Sequence, residues 1–164
     1  MNFCKKLEVK SPSRGTPGSA GIDFFVPENT KEFIEMFKEK NPAIQIDESG
    51  ITLNPHERVN IPSGIKMELP EGTALIAYNK SGVSLKYGLD IGASVVDSDY
   101  TGMIHLSLVN TSNEIVHINY GQKIIQFLLF DVRFDIPEEK KGESEVFTRT
   151  SERGEGGFGS TKEY

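Results

Sequence analysis

Apolar residues in this chain come in short alternating runs, and turn-forming residues cut each run off before it reaches helical length. Residues 103–109 set Ile104, Leu106 and Leu108 on one side, the period of two expected of a half-buried strand. Residues 58–61, 64–69 and 73–78 read as further strands, separated by Pro62-Ser63 and Pro70-Glu71-Gly72. The longer apolar run 124–132 reads as a strand buried on both faces. Many short strands with frequent turn residues predict an all-β fold, a sandwich or barrel. One segment breaks the pattern. Asn29 is placed to cap a helix, Glu32 to reach back to it, and Phe33, Ile34 and Phe37 share a helical face before Asn41-Pro42 stops the run. This predicts a helix over 30–40, inside an insertion spanning about 29–50 and packed on the β core.

A chain of 164 residues fits a single domain with a real core, so 1–164 is expected to form one domain, closed by a mobile C-terminal arm from about residue 149. The formal net charge of −6 argues against a general nucleic-acid surface. Cys4 is the only cysteine, so no intrachain disulfide can form. No apolar run approaches the length that crosses a membrane as a helix. The expectation is a cytoplasmic protein with neither nucleic-acid nor membrane partners.

Three stretches carry candidate chemistry. Near the end, Arg153, Gly154, Gly156, Gly157, Phe158, Gly159, Ser160 and Thr161 combine four glycines, one ring, two hydroxyls and a guanidinium. Glycine loses the most backbone entropy on ordering, so such an arm needs a ligand to pin it. A flat face for Phe158 and negative oxygens for Arg153, Ser160 and Thr161 describe a nucleotide. In residues 88–102, apolar runs flank Asp97-Ser98-Asp99-Tyr100-Thr101-Gly102, which predicts a β-hairpin with Ser94 opposite His105. Small residues at Gly92, Ala93 and Ser94 would let a ligand touch the main chain, whose N–H and C=O groups can read the edge of a base. Asn79-Lys80-Ser81-Gly82 follows a strand, and its ammonium, hydroxyl and glycine suit phosphate oxygens.

Taken in order, these stretches closely resemble the five motifs of the trimeric dUTP pyrophosphatases, the dUTPase family. Residues 20–23 (Ala-Gly-Ile-Asp) look like the first motif and 79–82 like the second. Residues 92–102 look like the third, 120–126 like the fourth and 153–161 like the fifth. The resemblance covers about 19–161. It departs at Lys80, where the family usually has Arg, and at the insertion. Those two departures look like a bacteriophage-encoded member.

The resemblance implies a jelly-roll-like β-barrel and a homotrimer that exchanges C-terminal arms. It implies dUTP as substrate and hydrolysis to dUMP and pyrophosphate, with Asp97 as the base that activates water for attack on the α-phosphate. It places uracil against Ser94, Val95, Val96 and His105, and deoxyribose on Tyr100. It assigns the phosphates to Lys80, Ser81, Gly82 and Gln126, and closure of the site to Arg153, Phe158, Gly159, Ser160 and Thr161. Asp23 and Asp99 become supporting acids. Mg²⁺ is implied as cofactor, held by substrate phosphates and water with no direct protein ligand. Lys80 is a point charge and lacks the fork of Arg, so altered phosphate geometry is expected. Two rivals remain open at this point: the related dCTP deaminases, and a regulatory binding protein switched by nucleotide.

Overall fold

The computed structural model describes residues 1–156 in two compact units, Met1–Arg133 and the part beginning at Phe134. In chain order the first unit contains β1 (Asn2–Lys5), β2 (Ile22–Phe25), α1 (Lys31–Lys40), β3 (Gln45–Ile46), β4 (Gly50–Leu53), β5 (Arg58–Pro62) and β6 (Ile65–Glu68). It continues with β7 (Thr73–Asn79), α2 (Ser81–Tyr87), β8 (Leu89–Ile91), β9 (Val95–Asp97), β10 (His105–Asn110), β11 (Val116–Asn119) and β12 (Lys123–Asp131). The second unit holds the short helix α3 (Glu143–Val146).

The fold is mostly β, as the alternation requires. Hydrogen bonding groups the described strands into four sheets, ordered β1-β6, β5-β10-β8, β11-β4-β3 and β2-β12-β7-β9, rather than into one closed barrel. The core lies between them. Phe24 and Phe127 pack as a tilted pair with ring centroids 4.7 Å apart, and Ile61, Leu75, Leu89 and Leu106 are fully covered.

The helix forms where the sequence predicts it, but its cap is Thr30, whose hydroxyl accepts from the Phe33 amide at 3.2 Å. Asn29 stays exposed outside it. Thr30 wins because it has the extended backbone that an N-cap needs. Phe33 and Phe37 are fully buried, and Phe33 also meets the Tyr120 ring edge-on at 6.0 Å. The insertion is therefore part of the core.

Two local expectations fail. β12 is not buried on both faces: Leu129 and Phe130 are 37% and 41% exposed. Leu128 and Phe130, on its outer face, are not fully covered by the described residues. The hairpin is also not made. β8 does pair with β10, in a register (Leu108 with Ile91) that would set Ser94 opposite His105 if carried on. After the Gly92 amide bonds the Ser107 carbonyl at 3.0 Å, the chain leaves β10. The Ser94 carbonyl then accepts from Ala77, and β9 pairs with β7 instead. Gly92 permits the departure, because a Cβ there would lie 2.5 Å from the Ser107 hydroxyl.

Phe33→Ala should cost about 3–5 kcal/mol in urea denaturation, the range for emptying a buried aromatic site. A loss below about 1 kcal/mol would show the insertion to be a satellite of the core.

Candidate functional site

The departure of the chain from β10 opens a pocket of about 190 Å³ between the two sheets. Ser94, Val95, Val96, Asp97, Tyr100 and His105 all line it, so six of the sequence-derived candidates meet there. Asn60 and Ser107 complete the wall on the β5–β10 side. Tyr100 is held by its hydroxyl, which donates to the Met103 carbonyl at 2.9 Å. A Cβ on Gly102 would fall 2.3 Å from this ring, so a larger residue at 102 requires the ring to shift. Asp97 ends β9 and is solvent-exposed. Asp99 faces the other way, into a groove of about 660 Å³ that shares only Tyr100 with the pocket. The turn thus separates the two acids.

Burial pushes the His105 imidazole below its ordinary range. A hydrogen bond to the Met103 backbone pulls the other way, and the nearby Lys40 charge pushes it further down. His105 therefore lines the pocket as a neutral donor–acceptor ring.

A second group forms at the far end of the four-stranded sheet. Central β12 sets Gln126 beside Asp23 on one flank and beside Tyr78 on the other. The Gln126 amide donates to the Asn79 carbonyl at 2.9 Å. Gly21 is packed so closely that a Cβ there would fall 2.2 Å from the Gln126 carbonyl oxygen. Asp23 is 5% exposed. Its carboxylate pairs with Lys80 and, at 3.2 Å, with Lys123. Lys80 occupies the cap position of α2, whose first residues Ser81 and Gly82 are exposed. The Asn79 side-chain oxygen is buried without a donor among the described residues. Motifs one, two and four therefore converge, and Lys80 is turned toward Asp23.

These two groups are far apart within one chain. Asp97 pairs with Ala74 near the start of β7, whereas Lys80 follows its last residue. Six residues at about 3.3 Å each put the two ends about 20 Å apart. Between them the outer face of the sheet is apolar. Cross-strand partners share a face, so Ile76, Leu128 and Val95 form one row, and Phe130 joins Ala74 and Asp97 in another. Val95 is 60% exposed, and Tyr78 and Phe130 meet with ring centroids 6.1 Å apart.

Of the fifth motif, Arg153 lies in a turn, with its side chain donating to the Gly156 carbonyl at 2.6 Å. Phe158, Gly159, Ser160 and Thr161 lie outside the described residues. Sequence reasoning did not select Asn60 or Ser107. Both sit at strand positions that look ordinary in the sequence, and only the β5–β10 register brings them to the pocket.

A mostly β fold thus sets a small recess at one end of a sheet and a lysine-bearing loop at the other. The dUTPase family model matches residues 47–162. The deoxyuridine 5'-triphosphate nucleotidohydrolase of Fusobacterium nucleatum is 34% identical over 156 residues, covering 93% of this chain and 90% of the relative. The dUTPase of Staphylococcus bacteriophage 80alpha, solved with dUpNHpp, superposes with a TM-score of 0.71 at 23% identity over 98% of both chains. A dUTPase from phage phi11 of S. aureus, described with a structural Mg(II) ion, has a TM-score of 0.62 at 22% identity, covering 87% of this chain and 95% of its own. The chain belongs to the dUTPase family.

Because the His105 proton affinity is lower folded than unfolded, the unfolded chain takes up more protons as pH falls below about 6.5. Stability is then lost with acidification through that window. Melting temperatures measured from about pH 8 to about pH 5 should fall less for His105→Asn than for the wild type; parallel curves would disprove the assignment.

Proposed function

We propose that this protein hydrolyses dUTP to dUMP and pyrophosphate at a site completed between copies of the chain in a homotrimer. The observation that carries this reading is the sheet face with chemistry at both ends and an apolar middle. A carboxylate and a phosphate loop about 20 Å apart cannot serve one α-phosphorus within a single chain. A second copy seated on Ile76, Tyr78, Leu128 and Phe130 would bury that face and bring the Lys80 end of one subunit to the Asp97 end of the next. The recess fits the same picture. At about 190 Å³ it is smaller than the roughly 300–1,000 Å³ of self-contained ligand pockets. It holds a base and sugar, and leaves the phosphates to other groups.

In this reading Ser94, Val95, Val96 and neutral His105 frame uracil, and the Tyr100 ring packs on deoxyribose where a 2′-hydroxyl would clash. The Asp97 carboxylate accepts a proton from water as that water attacks the α-phosphorus, and pyrophosphate leaves in line. Ser81 and Gly82 offer a hydroxyl and main-chain N–H groups to phosphate oxygens. Lys80 contributes charge from its pair with Asp23, and Gln126 anchors this end through Asn79. Arg153 and the arm residues Phe158, Gly159, Ser160 and Thr161 close over the substrate, as part of an exchanged C-terminal arm from about residue 149 of a single domain.

Mg²⁺ fits this arrangement as an ion carried by the triphosphate and water. Among the described residues no group of three or more His, Cys, Asp or Glu is placed to hold one. The Asp23 carboxylate is already occupied by two ammonium groups. When bound, the ion neutralises phosphate charge. A cytoplasmic setting accords with a soluble nucleotide substrate; no described helix is long and apolar enough to cross a membrane.

Asp97→Asn should lower kcat by about a thousandfold or more while substrate binding persists, as for loss of a positioned base. Retained turnover would reject Asp97. Mixing tests the composite site directly. Asp97→Asn and Ser81→Ala/Lys80→Ala chains, each inactive alone, should regain about a quarter of the wild-type rate when refolded together, since random assembly reunites both intact halves in that share of sites. No recovery in verified mixed oligomers would place the site within one chain.

A further inference from the structure

The helical insertion is hydrogen-bonded to a residue of the recess wall through Asn41. Asn41, the residue that ends α1, is 6% exposed. Its amide nitrogen donates to the Phe37 carbonyl and to the Asn60 carbonyl, both at 3.0 Å, and its oxygen accepts from the Asn60 amide at 2.8 Å. β5 is an edge strand, paired only with β10 in its sheet. Asn41 thus treats Asn60 as a neighbouring strand would, satisfying both of its main-chain groups on the open side. Those groups point away from β10, so Asn60 and its partner Ser107 form a non-hydrogen-bonded pair, the type whose side chains approach most closely.

That pair lines the recess. Asn60, Ser107 and His105 lie on one face, because 105, 107, 60 and 62 alternate in register. The Asn60 carboxamide makes no hydrogen bond among the described residues, although both main-chain groups of Asn60 are taken. An amide offers a donor and an acceptor side by side, the complement of a pyrimidine's polar edge. An orphan amide at the wall of a recess lined by Ser94 and His105 is placed to supply that complement.

We propose that Asn60 is an additional base-contacting residue and that Asn41, at the end of the insertion, is its positioning residue. The assignment rests on the reading of the recess as the nucleoside site. The insertion then sets pocket geometry in this member of the family: α1 is locked into the core by Phe33 and Phe37, and Asn41 transmits its position to the strand beneath the base.

The experiment measures steady-state kinetics with dUTP and calorimetric binding of dUMP for the wild type, Asn60→Ala, Asn41→Ala and the double variant. Asn60→Ala keeps the main-chain clamp and should fold. It should raise KM and the dUMP dissociation constant about tenfold with kcat within about twofold, the effect of removing one hydrogen-bonding edge. Asn41→Ala should shift KM in the same direction, and its effect should largely vanish in the Asn60→Ala background, since it acts through Asn60. Wild-type binding with an unchanged Asn60→Ala constant overturns the proposal alone. An Asn41→Ala effect undiminished in the double variant overturns the positioning role. A wild type that binds neither nucleotide overturns the functional reading and this proposal with it.

Discussion

The ladder between β7 and β12 sets the scale on which everything else is arranged. Seven consecutive residue pairs, from Ile125 with Asn79 to Asp131 with Thr73, make these two strands one rigid plate. β2 attaches to one side of the plate and β9 to the other. One attachment carries Asp23 to Gln126, and the other carries Asp97 to Ala74. The plate therefore fixes two polar ends and the apolar face between them. Its inner face packs on Phe24 and the core, and its outer face exposes Tyr78 and Phe130.

Electrostatics follow from that layout. The Asp23 carboxylate is nearly buried and would carry a large desolvation cost alone, which Lys80 and Lys123 offset by pairing with it. The Lys80 pair ties the junction of β7 and α2 to β2. At the opposite end Asp97 is exposed and faces a recess whose histidine is kept neutral by burial and by Lys40. An acidic chain can thus place a lysine-bearing loop and a recess with a neutral histidine at separate ends of one sheet without a globally basic surface.

The insertion joins this frame through its own packing. Two phenylalanines seat α1 in the core, and its C-terminal asparagine closes the free edge of β5. Edge strands invite unwanted pairing, and a side chain that satisfies both main-chain groups at one position blunts the edge there. The same bonds hold the wall of the recess, so stability and pocket shape share a residue.

Much was legible in the order of residues. Alternation in 103–109 and the Pro and Gly breaks gave strand positions nearly residue for residue, because a period of two with flanking turns has few other solutions. The helical period of Phe33, Ile34 and Phe37 gave α1. The five ordered motifs named the family and the candidates that line the recess. Tertiary structure decided what local pattern cannot encode. Whether β9 pairs with β10 or with β7 depends on which edge is open in space, and both choices suit the same apolar run. Thr30 and Asn29 are both able caps, and only the path of the chain chose between them. The partner of Lys80, the exposed outer side of β12 and the grip of Asn41 on Asn60 arise from contacts between segments distant in sequence. Such contacts are set by sheet order and register, which no single stretch of the chain contains.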